Sequence, residues 1–201
     1  MRVTKVLADR STKADRHDDA ALMARVAARD PAAFRAIAGD HAAPMRRIAY
    51  RMLGDATEAE DVAQEAFLRL WQHAARWRDT GSGIGAWLCR VTTNLCLDRL
   101  RRRRTVSDEG VPERADEAPN ADALIEEDQA RAAVVRCIDA LSDRQRAAIV
   151  LTYYEELSNM AAAHALDMNI KAFESLLFRA RATLRERLVA AGAVGDPEGT
   201  P

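Results

Sequence analysis

Between Ala56 and Trp71 the apolar residues Ala59, Val62, Ala63, Ala66, Phe67 and Leu70 recur three and four apart, the period of a helix with one buried face. Thr57 and Glu60 have the spacing of a capping box and are expected to open it. The same rhythm returns in Leu88, Val91, Leu95 and Leu100 between Ile84 and Arg104. Further upstream, Asp30-Pro31 reads as an N-cap followed by proline at the first helical position of a segment carrying Phe34 and Ile37. Pro44 is expected to restart or kink that segment, which Ile48, Met52 and Leu53 continue to a stop at Gly54. Near the other end, 127–140 and 142–155 read as two helices, with Ser142 as a cap.

The last part of the chain has a more specific layout. Leu157 to Ala165 is a short Ala-rich helix, Asp167-Met168-Asn169 is a three-residue break, and Asn169 caps a helix from Ile170 onward. Phe173, Leu176, Leu177, Leu184 and Leu188 give that helix its apolar stripe, while Lys171, Arg179, Arg181, Arg185 and Arg187 supply cations. Helix, tight turn and basic helix in this order make a helix-turn-helix, whose second helix lies in the DNA major groove. A helical hairpin with a solvated basic face is the plainer alternative.

Net charge qualifies this picture, because −1 is low for a nucleic-acid binder. The acid is concentrated: 107–128 holds nine acids against one base, a net of −8 that leaves +7 on the rest of the chain. Such a tract, with Pro and Gly and few large apolar residues, reads as a flexible linker between two more basic bodies. The expected fold is therefore all-α, two small helical domains joined by a flexible acidic linker. Its segments are a disordered arm at 1–17, a first domain at 18–104, the linker at 105–126, a helix-turn-helix domain at 127–190 and a tail at 191–201.

The same residues count against other classes. Cys89, Cys96 and Cys137 form no CxxC pair and are odd in number, which argues against a secreted disulfide framework and for a reduced, cytoplasmic setting. Cys89 and Cys96 lie seven apart on one helix face, as small buried thiols do. His17, His41, His73 and His164 are scattered, so no metal or other cofactor is expected and no catalytic triad is visible. No stretch of about 18 apolar residues exists to span a membrane.

Two surface features stand out in the first domain. Asp61, Gln64, Glu65 and Leu68 lie on the polar side of their helix, an acidic and amide-bearing strip around an exposed leucine. A solvated helix face would explain a strip this small. The segment Arg78 to Gly85 is a glycine-containing loop between Trp77 and Trp87 that lacks the GK[ST] ending of a phosphate loop. Arg101 to Arg104 then close the following helix, where they complement its dipole and can pair with phosphates.

Four blocks in order, GDATEAEDVAQEAFLRLW, AWLCRVTTNLCLDRLRRR, LSDRQRAAIVLTYYEELS and FESLLFRARATLRERL, resemble the extracytoplasmic-function (ECF) group of bacterial sigma factors. The resemblance runs from Asp18 to Leu188. It implies that the first domain docks on the clamp helices of the RNA polymerase beta-prime subunit through Asp61, Gln64, Glu65 and Leu68. Carboxylates around an apolar residue suit a basic coiled partner. It further implies that the first domain captures the unpaired minus-ten strand, at Trp77, Arg78, Arg90, Asn94 and Arg101, by stacking, polar edge contacts and cationic tracking. Arg90 and Asn94 fall on polar positions of the motif WL-x-R-[IV]-x-x-N-x-x-x-D; Trp87 is better assigned to packing.

The second domain is then expected to read the minus-thirty-five element. Lys171, Glu174 and Ser175 lie near the base edges and Arg179 and Arg181 near the phosphates. The sequence departs from the family where many members carry a base at Glu174, an arginine at Leu176 and a glycine at Asp167. Glu174 either accepts from a cytosine amino group or pairs with Lys171 or Arg181 on its own helix. Asp tolerates a left-handed turn. The implied partners are core RNA polymerase (beta-prime clamp helices and beta flap), promoter DNA and an anti-sigma factor, with no catalysis by the chain itself. The alternative is a polymerase-independent helix-turn-helix regulator, which leaves the Asp61–Leu68 strip and the tryptophan-flanked loop without a task.

Overall fold

The computed structural model describes residues 13–78, 83–108 and 125–194, and every regular element among them is helical. In the first domain α1 (Lys13–Ala27), α2 (Pro31–Leu53), α3 (Ala56–His73) and α4 (Gly83–Asp108) pack around Met45, Ile48, Met52, Leu70, Ile84 and Leu88. The second domain consists of α5 (Ile125–Asp139), α6 (Asp143–Ile149), α7 (Asn159–Ala165) and α8 (Ile170–Ala190), with Phe173 fully buried at its centre.

Several boundaries differ from the sequence expectation for identifiable reasons. Pro44 neither breaks nor restarts α2, which runs through it; the proline forgoes one intrahelical hydrogen bond but lies buried with His41, Met45 and Ile48. Gly54, at φ +71°, ends that helix, and Asp55 at once caps the next by accepting from the Glu58 N–H at 2.9 Å. The cap is thus Asp55 rather than Thr57, which is drawn into the first turn. At the start of the chain α1 already begins at Lys13, inside the segment expected as an arm, and α4 and α5 each extend into the expected linker, to Asp108 and from Ile125. Residues 109–124, the middle of that linker, lie outside the described residues.

The predicted helix from 142 to 155 divides into α6 and a π-helical turn, Val150–Tyr154, closed by the Glu155 N–H donating to the Val150 carbonyl at 3.1 Å. The wider turn redirects the chain, and Glu155 becomes almost fully buried against the first domain. There Oε2 accepts from Arg47 of α2 at 3.2 Å. Ser158 rather than Leu157 then opens α7.

The two domains are docked on each other. Arg146 of α6, itself buried, donates to the Met52 carbonyl at the end of α2 at 2.8 Å and to the Asp139 carbonyl. Arg90 of α4 pairs with Asp167 at 2.9 Å, and Arg104 pairs with Asp143. The Arg51 guanidinium lies 4.1 Å over the Tyr154 ring. Together with Arg47–Glu155, two of these contacts bring an arginine of the first domain to an acid of the second.

Candidate nucleic-acid interface

The turn of the helix-turn-helix forms as its residue types require. Asp167 takes φ +54°, and its N–H donates to His164 while that of Met168 donates to Ala163, which satisfies carbonyls at the end of α7. Asn169 is extended and accepts from the Ala172 N–H at 2.9 Å, so α8 starts where the sequence places its cap. Phe173, Leu176, Leu177 and Ala180 face the domain core. The opposite side of α8 exposes Lys171, Glu174, Ser175, Phe178, Arg179 and Arg181.

Helical spacing orders that exposed side. Lys171, Glu174, Ser175 and Phe178 follow one stripe, with Arg179 on one flank and Arg181 on the other. Arg179 Nε donates to the Ser175 carbonyl at 3.2 Å, and Ser175 Oγ donates to that of Lys171 at 3.0 Å. Arg181 lies 5.4 Å over the ring of Tyr153. Glu174 forms no ion pair among the described residues, so the pairing with Lys171 or Arg181 is absent here.

Phe178 is the residue that sequence reasoning missed. It is 73% exposed in the middle of the stripe. The signal was present, because Phe178 is an aromatic that falls off the apolar period formed by Phe173, Leu176, Leu177 and Leu184.

In the first domain Arg90, Asn94 and Arg101 share one face of α4, at spacings of four and seven. Their surroundings differ. Arg90 is held by Asp167 of the turn, Asn94 is half-buried, and Arg101 is exposed and paired with Asp98 at 3.0 Å. The arginine run at the end of α4 is largely structural: Arg103 donates to the Leu53 carbonyl at 3.0 Å and pairs with Glu58 at 2.7 Å. It thereby complements the negative end of α2.

Trp77 and Trp87 meet edge to face, with centroids 6.2 Å apart, and His73 stacks on Trp87 at 5.4 Å. Trp87 packs on the hydrophobic core, in line with its assignment to packing. Arg78 is exposed and donates to the Trp77 carbonyl at 3.0 Å. Residues 79–82 of the predicted loop lie outside the described residues. Its end is anchored by Asp19 of α1, whose Oδ2 accepts from the Ile84 N–H at 2.8 Å. Gly83 there has φ +72°, and a Cβ at that position would stand 2.9 Å from Asp19 Oδ2.

On α3, Asp61, Gln64 and Leu68 are exposed, with Leu68 at 49%, while Glu65 is half-buried and pairs with Arg69 at 2.8 Å. Gln64 and Leu68 also line an open groove of about 810 Å³ between α2 and α3, floored by Phe34, Phe67 and Trp71. Phe34 meets Trp71 edge to face at 5.3 Å, which keeps the groove's aromatic wall in place. No sequence pattern announced this groove, because its two walls come from different helices.

Comparison with known proteins agrees with this arrangement. Sigma-70 region 2 matches residues 37–106 and Sigma-70 region 4 matches residues 131–184. The chain is 35% identical to the ECF RNA polymerase sigma factor SigL of Mycobacterium tuberculosis over 172 residues, 81% of this chain and 94% of SigL. It is also 35% identical to the ECF RNA polymerase sigma factor SigE of Mycolicibacterium smegmatis over 152 residues, which cover 74% of this chain and 58% of SigE. Among solved structures, CnrH in complex with the cytosolic domain of CnrY superposes with a TM-score of 0.64 at 27% identity, covering 86% of this chain and 97% of CnrH. The two region matches and the near-full-length likeness to SigL place the chain in a family of RNA polymerase-binding, promoter-specific initiation factors: it belongs to the ECF RNA polymerase sigma factors.

Proposed function

We propose that the two domains divide promoter recognition as follows. The strip Asp61, Gln64, Glu65 and Leu68, with the apolar groove beside it, receives the clamp helices of the polymerase beta-prime subunit. The α4 face of Arg90, Asn94 and Arg101, with Trp77 and Arg78, takes the unpaired minus-ten strand. The exposed side of α8 enters the major groove at the minus-thirty-five element, where Lys171, Glu174, Ser175 and Phe178 face the bases and Arg179 and Arg181 the phosphates. The chain performs no catalysis and acts in the cytoplasm; no helix among the described residues is long and apolar enough to cross a membrane.

The observation that carries this reading is Leu68, half-exposed at the mouth of an aromatic groove and beside carboxylates. A regulator working through its helix-turn-helix alone has no use for that surface. The docked arrangement adds a condition, since Asp167 holds a carboxylate against Arg90 and would repel a DNA phosphate brought to the same guanidinium. Minus-ten binding is therefore favoured when the Arg90–Asp167 pair parts, and the beta flap is the natural partner for the second domain once it does. CnrH was solved with CnrY, and an anti-sigma factor covering the same surfaces is the corresponding partner proposed here. Run-off transcription with purified core polymerase and a library of upstream DNA tests the reading. Initiation that depends on this chain supports it, and unchanged initiation without the chain overturns it.

A further inference from the structure

The π-helical turn Val150–Tyr154 places two adjacent tyrosines beneath two arginines, one from each domain. Tyr154, partly buried against the core, carries Arg51 of α2 at 4.1 Å. Tyr153, 52% exposed, carries Arg181 of α8 at 5.4 Å. A guanidinium over a ring face is held by the ring quadrupole, and an exposed arginine so held loses less freedom when it later meets an anion.

The two flanks of α8 are matched in this respect. Arg179 is tethered within its own helix by the hydrogen bond to the Ser175 carbonyl, whereas Arg181 depends on a ring supplied by another element. A helix lying in the major groove has a phosphate wall on either side, so its two flanking cations meet different strands. Exposure leaves Tyr153 little part in the core. Its partner Tyr154, clamped by Arg51 and packed on the core, fixes the direction in which Tyr153 points.

We infer that Tyr153 is a positioning residue for DNA binding, holding the Arg181 guanidinium at the flank of α8 where it meets a backbone phosphate. The inference rests on the assignment of α8 to the major groove. Phosphate contacts are independent of base sequence, so they register on a DNA duplex of mixed sequence at low salt.

The test is fluorescence anisotropy of the full chain on a labelled mixed-sequence duplex across a range of KCl concentrations. Tyr153→Leu weakens binding about two- to five-fold, the range of an exposed cation–π contact. Tyr153→Phe and Tyr153→Trp keep the ring face and retain wild-type affinity, which a loss through misfolding would not predict. Arg181→Ala weakens binding and lowers the salt slope by about 0.9 for the lost phosphate contact. Once Arg181 is gone, Tyr153→Leu has no further effect. If Arg181→Ala weakens binding while Tyr153→Leu does not, or if Tyr153→Leu acts equally in both backgrounds, the positioning role is overturned. If Arg181→Ala leaves affinity and salt slope unchanged, the failure lies with the phosphate assignment on α8 itself.

Discussion

The buried guanidinium of Arg146 donates to the main-chain carbonyl of Met52, 94 residues earlier, at 2.8 Å. Met52 lies in the last turn of α2, where carbonyls lack helical donors and the helix dipole is negative, so a cation from the second domain completes the end of a helix in the first. Arg146→Ala removes a charged donor from a site that water does not readily fill. It is expected to destabilise the protein by about 2 kcal/mol. Urea unfolding checks the loss, and small-angle scattering is expected to show a larger radius of gyration as the domains separate.

Glu155 behaves differently from a surface carboxylate. Burial pushes its carboxyl above the ordinary value, while Arg47 and Arg51 pull it down and Glu156 pushes it up. Burial wins. Arg47→Ala leaves the acid buried with its hydrogen-bonding partner gone and is expected to cost about 3 kcal/mol, whereas Glu155→Gln removes the charge that burial opposes and is expected to be nearly neutral. Both are read from denaturant unfolding.

A sign follows for pH. Because the folded-state value of Glu155 is raised, its contribution to stability is full below the ordinary carboxylate value and is lost as pH rises through the raised one. Asp30 works in the opposite sense, since its hydrogen bond from Arg25 and those from Ala32 and Ala33 hold its carboxyl low. The difference between wild type and Glu155→Gln cancels Asp30 and isolates Glu155. Across that window the wild type is expected to lose stability relative to Glu155→Gln as pH rises, and a flat difference would contradict the assignment.

How much of this was legible beforehand depends on whether a feature lives in one segment. The Asn169 cap, the left-handed Asp167, the stop at Gly54 and the buried thiols follow from local residue types, and all are present. The strip at Asp61 to Leu68, proposed to face polymerase, was readable as exposed polarity on an amphipathic helix. Its groove was not, because Phe34 and Trp71 meet only after α2 and α3 pack. Glu155 gave no sign of burial, since its setting is made by Arg47, 108 residues away, and by a π-helical turn that hydrophobic period does not encode. The run Arg101–Arg104 suggested a phosphate patch, yet Arg103 and Arg104 are engaged by the protein's own carbonyl and carboxylates.

Cys89 and Cys96 are buried, and burial pushes both thiols up to about 12. Neither forms appreciable thiolate near neutral pH, and the thiolate is the reactive form. Labelling of these two residues with a thiol reagent is expected to be slow in the native protein and to accelerate only when urea unfolds the first domain. Fast native labelling at either residue would show that the domain opens well below its global unfolding.

Gly83 meets two demands at once, a left-handed backbone and the close approach of Asp19. Gly83→Ala is expected to cost roughly 1–2 kcal/mol from the backbone alone. It also displaces the carboxylate that accepts from the Ile84 N–H, so that the start of α4 loosens beside the loop proposed for minus-ten binding. Amide exchange at Ile84 should rise selectively. By contrast Gly54→Ala carries the same backbone cost with open space around the added methyl, and it leaves Ile84 protected.

Leu68 offers the cleanest separation of folding from partner binding. Its side chain is half in water, so shortening it removes little buried area and Leu68→Ala is expected to leave the unfolding transition nearly unchanged. At the proposed interface with polymerase the same side chain would be enclosed beside Phe67 and Trp71, which line the groove with it, and an apolar anchor so enclosed is worth more than about 1 kcal/mol. Core polymerase affinity is therefore expected to fall several-fold for Leu68→Ala. Gln64→Ala combined with Glu65→Ala is expected to weaken it as well, through lost polar contacts at the same surface. Neither change touches α8, so binding of the full chain to a DNA duplex in the absence of polymerase should be unaltered. Parallel titrations against core enzyme and DNA decide the matter, because a loss confined to the DNA arm would assign the strip to the wrong partner.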